Sequence, residues 1–303
     1  MSSVLVTRRI PASALAILRE HADVDLADAG LDAHALRARV RGKSAIVCLL
    51  TDRMDDAVFA AAGSSLKVVA NVAVGYDNID VAAAHARGVT VTNTPDVVTG
   101  ATAELTWALI LGIMRRVAEG DRLIRGGGWK GWALDFMLGT ELAGKQLGIV
   151  GQGRIGRAVA EKAEAFGMRV AFATRKSGLT ALLSTSDIVS LHVPLRDDTR
   201  HLINRTALAR MKRTAYLINT SRGPVVDEGA LVWALQERLI AGAALDVFEH
   251  EPAVHPGLLG CDNVLLVPHL GTATRETRTA MAELAARNVV AVLAGQPAST
   301  PVL

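Results

Sequence analysis

The sequence predicts an α/β protein with two parallel sheets, each covered by helices on both faces. Three observations predict it. Short, continuously apolar runs recur along the chain with Ala-rich helical stretches between them, the pattern of buried parallel strands rather than half-solvated ones. One long helical segment interrupts this alternation, after which a second series begins, so two α/β domains are expected. Half of the 303 residues are hydrophobic but only 4% are aromatic, which suits close helix-on-sheet packing built from Ala and Val.

The elements follow in order. Val4-Leu5-Val6 is a strand, and Pro11 opens a helical stretch through Leu18. Ala45 to Leu50, Leu66 to Ala70 and Val89 to Val91 complete the first series of strands. Residues 99–119 read as a single helix, with Gly100 near its start and Gly126-Gly127-Gly128 beyond its end. After a loop rich in Gly and Trp come strands at 146–150, 169–172, 188–191, 215–219, 242–246 and 264–267, then a helix over 275–293. That helix could close on either series, and periodicity does not decide which.

Composition narrows the function classes. The net charge is +3, and Lys and Arg are scattered apart from a modest cluster at Arg205, Arg210, Lys212 and Arg213. Nucleic-acid binding wants a concentrated basic stripe, so it is not expected. The most apolar window, Leu105 to Met114, is shorter than the ~20 residues of a membrane span. The start of the chain lacks the apolar core of a signal peptide. Cys48 and Cys261 have neither a second Cys nor a His at metal-ligand spacing, so no metal is expected and a reduced cytoplasmic protein is.

Gly151-Gln152-Gly153-Arg154-Ile155-Gly156 fits G-x-G-x-x-G in its confirming context, following the strand that ends at Val150 and opening a helix over 157–166. Gly151 would permit the tight turn, Gly153 would let backbone approach a pyrophosphate, and Gly156 would let helix and strand pack closely. The helix start then offers free N–H groups to phosphate. At the end of the next strand, where an NAD site usually carries Asp or Glu, the chain reads Thr174-Arg175-Lys176-Ser177. Cations and hydroxyls there suit a 2′-phosphate, so NADP(H) is expected in preference to NAD(H), which remains usable.

Three segments stand at predicted strand ends, where open α/β sheets bind ligands. They are Ile218-Asn219-Thr220-Ser221-Arg222-Gly223-Pro224, Ala244 through Pro252, and Val267-Pro268-His269-Leu270-Gly271. His269 is the expected acid–base group, and a carboxylate beside it would favour its protonated form. Glu251 is assigned that place, with Glu249 a competitor for it. Arg222 would hold a carboxylate and a carbonyl oxygen. The plain alternatives are a turn histidine, a loop carboxylate and a surface cap.

Together with Asn71 to Asp80 and His192-Val193-Pro194-Leu195, these motifs, in this order, resemble the D-isomer-specific 2-hydroxyacid dehydrogenases over nearly the whole chain. Within that family the sequence is most similar to glyoxylate/hydroxypyruvate reductases, through Val4 to Pro11, Thr94-Pro95-Asp96-Val97-Val98-Thr99, Thr102-Ala103-Glu104 and Gly127-Gly128-Trp129. Gln152 departs from the family's usual Leu, at a position whose phosphate contact is made by backbone.

The resemblance implies two Rossmann-like domains, the substrate domain being discontinuous: residues 1–96, then a dinucleotide domain over 97–272, then a helix over 273–303 returning to the first, with catalysis in the cleft. It implies Arg222, Glu251 and His269 as the catalytic set, with substrate also bound at Val74 and Gly75. It further implies cofactor contacts at Thr102, Val193, Pro194, Thr199, Thr220, Ser221, Asp246, His269 and Gly271, and a homodimer formed through the segment after Thr99 and the Trp loop. The implied reaction is NADPH-dependent reduction of a small 2-oxo acid. A phosphoglycerate-type substrate, served by Arg8, Arg9 and Arg53, is the neighbouring alternative; a dinucleotide-sensing corepressor is the alternative from another class. The short stretch after Leu293 argues against both a regulatory domain and a partner-docking tail.

Overall fold

A computed structural model of the chain describes residues 2–174 and 178–302. The chain divides into two compact units, residues 1–98 with 273–303, and residues 99–272.

In the first unit β1 (Ser3–Val6), α1 (Ala12–Arg19), β2 (Asp23–Leu26), α2 (Ala33–Arg39), β3 (Ala45–Cys48), α3 (Asp56–Ala62), β4 (Val68–Asn71), α4 (Val81–His85) and β5 (Thr90–Thr92) alternate. The sheet is parallel throughout, in the order β2-β1-β3-β4-β5. Successive strand residues face opposite sides. Leu5, Ile46 and Val69 enter a core with Leu36, Val58 and Phe59, whereas Val4, Val6, Val47 and Ala70 enter one with Leu15 and Leu18. Asp32, Asp55 and Asp80 start α2, α3 and α4 by accepting the N–H three residues on. The strand β2 lies outside the sequence expectations. Its Asp-Val-Asp-Leu is an edge strand paired only with β1, so it alternates instead of running apolar.

The second unit begins with α5 (Thr99–Met114) and α6 (Val117–Arg125). Then come β6 (Gln146–Val150), α7 (Arg154–Ala163), β7 (Arg169–Ala173), α8 (Leu179–Thr185), β8 (Ile188–Leu191), α9 (Arg205–Leu208), β9 (Tyr216–Asn219), α10 (Glu228–Gln236), β10 (Gly242–Leu245), α11 (Pro256–Leu259) and β11 (Val264–Leu266). This sheet too is parallel, in the order β11-β10-β9-β8-β6-β7. Val150, Leu191, Leu217 and Leu245 face a core with Leu182, Leu231 and Leu235; Ile149, Ile218 and Ala244 face Trp107, Ile110 and Met114 of α5 and Val159 of α7. Strand order reverses around β6, which lies between β7 and β8. The carboxyl ends at such a reversal are where an open sheet receives ligands.

Two expectations are corrected here. The single helix over 99–119 is two helices, because Arg116 sits at φ 56 and a left-handed residue cannot continue a right-handed helix. Its guanidinium grips Glu119 with two bonds, of 2.8 and 2.6 Å, across the new first turn of α6. The helix after the glycine turn begins at Arg154, not at residue 157, so Gly156 is already helical.

The helix α12 (Arg275–Leu293) belongs to the first unit. Ala282, Ala285, Ala286 and Val289 form one apolar stripe against α1, β3 and β4. Residues 299–302 then run beside β5: Pro301 bridges Thr92, and the Val302 N–H donates to Val91 O at 2.8 Å. Among the described residues no helix is long and apolar enough to cross a membrane, and no group of His, Cys, Asp and Glu is arranged to hold a metal.

Candidate active site

The glycine turn is pinned from both neighbouring strands. Gly151 N–H donates to Ala173 O of β7 at 2.9 Å, and His192 N–H donates to Val150 O at 2.8 Å. Gly151 stands at φ 106, where a Cβ would lie 2.6 Å from His192 O, so only glycine is admitted. A Cβ on Gly156 would lie 2.2 Å from Gly151 O, which fixes how closely α7 approaches the turn. Gly153 differs: a Cβ there meets nothing within 4 Å. It caps α7 without a side-chain bond of its own, at a helix end whose first-turn N–H groups have no partner within the helix. Open space beside a positive helix end is what a pyrophosphate needs, so these residues fit a dinucleotide. Gln152 and Arg154 are exposed and Ile155 is half-buried.

The remaining dinucleotide candidates divide by burial. Val193 is buried and Pro194 exposed just after β8. Thr199 is fully buried, and its hydroxyl is spent within the turn, donating to Pro194 O at 2.7 Å and accepting from Arg196 N at 2.8 Å. It therefore shapes the turn at Pro194 instead of facing outward. Thr102 is buried in α5, while Thr106 Oγ1 meets Thr220 Oγ1 at 2.9 Å. Beside the turn, burial pushes His192 down to about 4, and its Nε2 lies 2.8 Å from Ser190 Oγ. Thr174 follows β7 and is bridged to Gly178. Arg175 and Lys176 lie outside the described residues.

Arg222, Glu251 and His269 lie in the segments that follow β9, β10 and β11. His269 Nδ1 lies 2.7 Å from Glu251 Oε2, and Glu251 Oε1 accepts the Phe248 N–H at 3.0 Å. Burial would raise the Glu251 carboxyl. The bond and charge of His269, the Phe248 N–H and the Arg222 charge outweigh it, so Glu251 sits below the usual carboxylate value. With a carboxylate at Nδ1, Nε2 is the ring nitrogen left for proton transfer. Glu249, the competitor, is engaged elsewhere: its Oε1 meets His201 Nε2 at 2.5 Å, and its Oε2 accepts the Glu228 N–H at 3.0 Å.

Two residues that lie within the first of the three segments, but to which the sequence assigned no role, build this site. Asn219, buried at the end of β9, accepts from Ser221 N and Ser221 Oγ at 3.0 and 2.8 Å and donates to Arg222 O at 2.9 Å. It ties Thr220 to Arg222 into a turn, and the carboxamide preceding Thr-Ser is its signal in the sequence. Gly223 is the other. A Cβ there would lie 1.9 Å from the carbonyl of Phe248, so glycine alone lets the Arg222 turn reach the loop that carries Glu251.

Asp246 is buried and holds the His269 loop by its backbone. Its Oδ1 and Oδ2 accept the N–H groups of Leu270 and Gly271 at 2.5 and 2.9 Å, and its own carbonyl accepts the His269 N–H at 2.9 Å. This clasp fixes His269 at φ 53. Burial raises the Asp246 carboxyl, against the backbone bonds and the His269 charge. In the first unit, Val74 and Gly75 follow β4. Their carbonyls accept from Asn93 Nδ2 at 2.7 Å and Asn71 Nδ2 at 2.8 Å, and their N–H groups have no acceptor among the described residues.

Comparison with known proteins adds a family. Residues 107–271 match the model of the D-isomer specific 2-hydroxyacid dehydrogenase NAD-binding domain. The glyoxylate reductase of Thermococcus onnurineus is 47% identical over 97% of this chain and 93% of its own. That of Thermofilum pendens is 48% identical over 97% and 92%. Among solved structures, a protein of Thermus thermophilus has a TM-score of 0.94 at 44% identity, covering 99% of this chain and 100% of its own. The NADPH-dependent glyoxylate/hydroxypyruvate reductase of Sinorhizobium meliloti, solved with NADP and malonate, has a TM-score of 0.90 at 36% identity, covering 99% and 96%.

Proposed function

The chain belongs to the D-isomer-specific 2-hydroxyacid dehydrogenase family, oxidoreductases acting on a CH–OH group with a nicotinamide dinucleotide, and from that premise we propose that it reduces glyoxylate or hydroxypyruvate with NADPH in preference to NADH. The observation that carries the reading is the Glu251–His269 pair with the Arg222 charge beside it. The glyoxylate reductases among its relatives support the substrate class.

Gly151 to Gly156 would hold the pyrophosphate, and Thr174, Arg175 and Lys176 the 2′-phosphate; Asp246 would hold the carboxamide, with Thr102, Val193, Pro194, Thr220, Ser221 and Gly271 lining the rest. Bound there, the nicotinamide supplies the hydride that reduces C2. Arg222 binds the substrate carboxylate and polarises the carbonyl oxygen. The N–H groups of Val74 and Gly75 bind the carboxylate as well. His269 Nε2 gives its proton to that oxygen, and Glu251 holds the ring in place through Nδ1. The absence of any carboxylate in Thr174-Arg175-Lys176-Ser177 supports NADPH, as does the NADPH dependence of the Sinorhizobium meliloti enzyme.

The chain is proposed to work as a homodimer. Val117 and Ile124 on α6, and Trp132, Leu134 and Leu138 after it, are all exposed, Trp132 and Leu134 by 80% and 83%. So much apolar surface in one segment wants a partner, and a second copy is the one proposed. The cytoplasm is the proposed compartment, because the free thiols of Cys48 and Cys261 suit a reducing one.

The test is a panel of kcat/KM values for glyoxylate, hydroxypyruvate, pyruvate and 3-phosphohydroxypyruvate, each with NADPH and with NADH. The first two with NADPH should lead. Leadership by the phosphorylated acid, or dinucleotide binding without turnover of any acid, overturns the reading.

A further inference from the structure

A continuous chain of hydrogen bonds runs within the first unit from α12 to the loop after β4. It starts at Asn288, fully buried on α12, whose Nδ2 donates to Thr300 Oγ1 at 2.8 Å. The Oδ1 of the same carboxamide accepts from Ser299 N and Ser299 Oγ, both at 2.9 Å, and fixes the segment's path. The Thr300 hydroxyl, so oriented, donates to Asn93 O at 2.6 Å, and the Asn93 N–H returns to Thr300 O at 3.3 Å. Asn93 Nδ2 then donates to Val74 O at 2.7 Å. One residue earlier, the Thr94 N–H donates to Ala73 O at 2.9 Å.

These carbonyls matter because of the peptide unit. The carbonyl of residue 74 and the N–H of residue 75 lie in one rigid trans plane and point in opposite directions. A donor that grips Val74 O from one side therefore aims the Gly75 N–H to the other. The grip on Ala73 O aims the Val74 N–H in the same way. Both N–H groups are without acceptors among the described residues.

We propose that residues 299–302, through Thr300 and Asn93, are a positioning device that aims the N–H groups of Val74 and Gly75 at the substrate carboxylate. This rests on the reading of those two N–H groups as carboxylate-binding. Neither Thr300 nor Asn93 touches substrate in this account; each acts through the peptide plane it sets.

The experiment compares Thr300→Val, Thr300→Ser, Asn93→Ala and Gly75→Pro in steady-state kinetics with glyoxylate, alongside NADPH affinity by fluorescence and Tm. Thr300→Val keeps the shape of the side chain and loses both hydroxyl bonds. It should raise KM for glyoxylate roughly tenfold, the scale of one lost hydrogen bond, with kcat within about twofold and NADPH affinity unchanged. Thr300→Ser, which keeps the hydroxyl, should restore KM. Adding Thr300→Val to Asn93→Ala should raise KM no further than Asn93→Ala alone, because the two act in series. A lower Tm with KM unchanged in Thr300→Val overturns the proposal, as does a failure of Thr300→Ser to restore KM. Gly75→Pro removes one of the two N–H groups outright and separates the two readings. If it leaves KM unchanged, the carboxylate-binding reading of the loop falls. If it raises KM while Thr300→Val does not, only the positioning role falls.

Discussion

The imidazole of His269 and the carboxylate of Glu251 meet at 2.7 Å, although they stand 18 positions apart in the chain, while Glu249, two residues from Glu251, bonds to His201 instead. The bend of the loop between Phe248 and Glu251 makes the selection. One oxygen of Glu251 turns back to the Phe248 N–H, which leaves the other for the ring.

His269→Ala should lower kcat by roughly 10²–10⁴-fold, the usual contribution of a positioned acid–base group. NADPH affinity, measured by fluorescence, should be nearly unchanged. A near-normal kcat would remove His269 from the acid role.

Glu251 gives a pH-dependent stability of defined sign. Its carboxyl is held below its ordinary 4.5 in the fold, so the unfolded chain takes up its proton first as pH falls. The stabilising contribution is fully present above the ordinary value and is lost as pH falls through the folded one. The Tm difference between the wild type and Glu251→Gln should therefore be widest near pH 6 and shrink below about pH 4.5. Thermal melts from pH 3 to 7 check this, and a difference that grows in acid contradicts it.

Gly223→Ala should be severe for so small a change. The new methyl group would start 1.9 Å from the Phe248 carbonyl, backbone against backbone, and neither side can give without moving Arg222 or the loop of Glu251. A cost of about 1–3 kcal/mol, some 2–10 °C in Tm, is expected. The loss of kcat/KM for glyoxylate should exceed what that destabilisation explains at assay temperature. Full activity with an unchanged Tm would show that the two loops do not need this contact.

Arg175→Asp should reverse much of the cofactor preference. Two charge-assisted contacts to a 2′-phosphate, discounted for solvent screening, would correspond to about 30- to 150-fold in kcat/KM for NADPH over NADH. Asp would repel the phosphate and accept from a free ribose hydroxyl. A wild-type ratio near one, or a ratio unchanged in the variant at the same ionic strength, assigns the phosphate to another loop.

What was legible in the sequence follows from how each feature is encoded. The runs at 146–150 and 188–191 coincide with β6 and β8, because central parallel strands are buried on both faces and read as unbroken apolar stretches. The helix over 275–293 coincides with α12, whose start is capped by Thr274. The strand β2 and the break at Arg116 were illegible for opposite reasons. The first is an edge strand with acidic residues at alternate positions; the second is a backbone reversal held by an ion pair, with neither Gly nor Pro to mark it. At the site, His269, Glu251 and Arg222 announce themselves by side-chain chemistry. Asn219 and Gly223 act on backbone, and their roles appear only once the loops are seen to touch.

Asp246 secures the His269 loop through main-chain hydrogen, not through the side chains of Leu270 and Gly271. Sequence drift at these two neighbouring positions is therefore governed by different constraints. Position 270 can exchange its half-exposed side chain for almost any other while the clasp persists, and proline, which has no N–H to offer, is the one residue the clasp forbids. Position 271 is confined further, since a methyl group there would already press on Asp246 Oδ2 at 3.2 Å. The histidine proposed as the acid can thus be flanked by one position that tolerates most side chains and another that tolerates few, with both serving the same carboxylate.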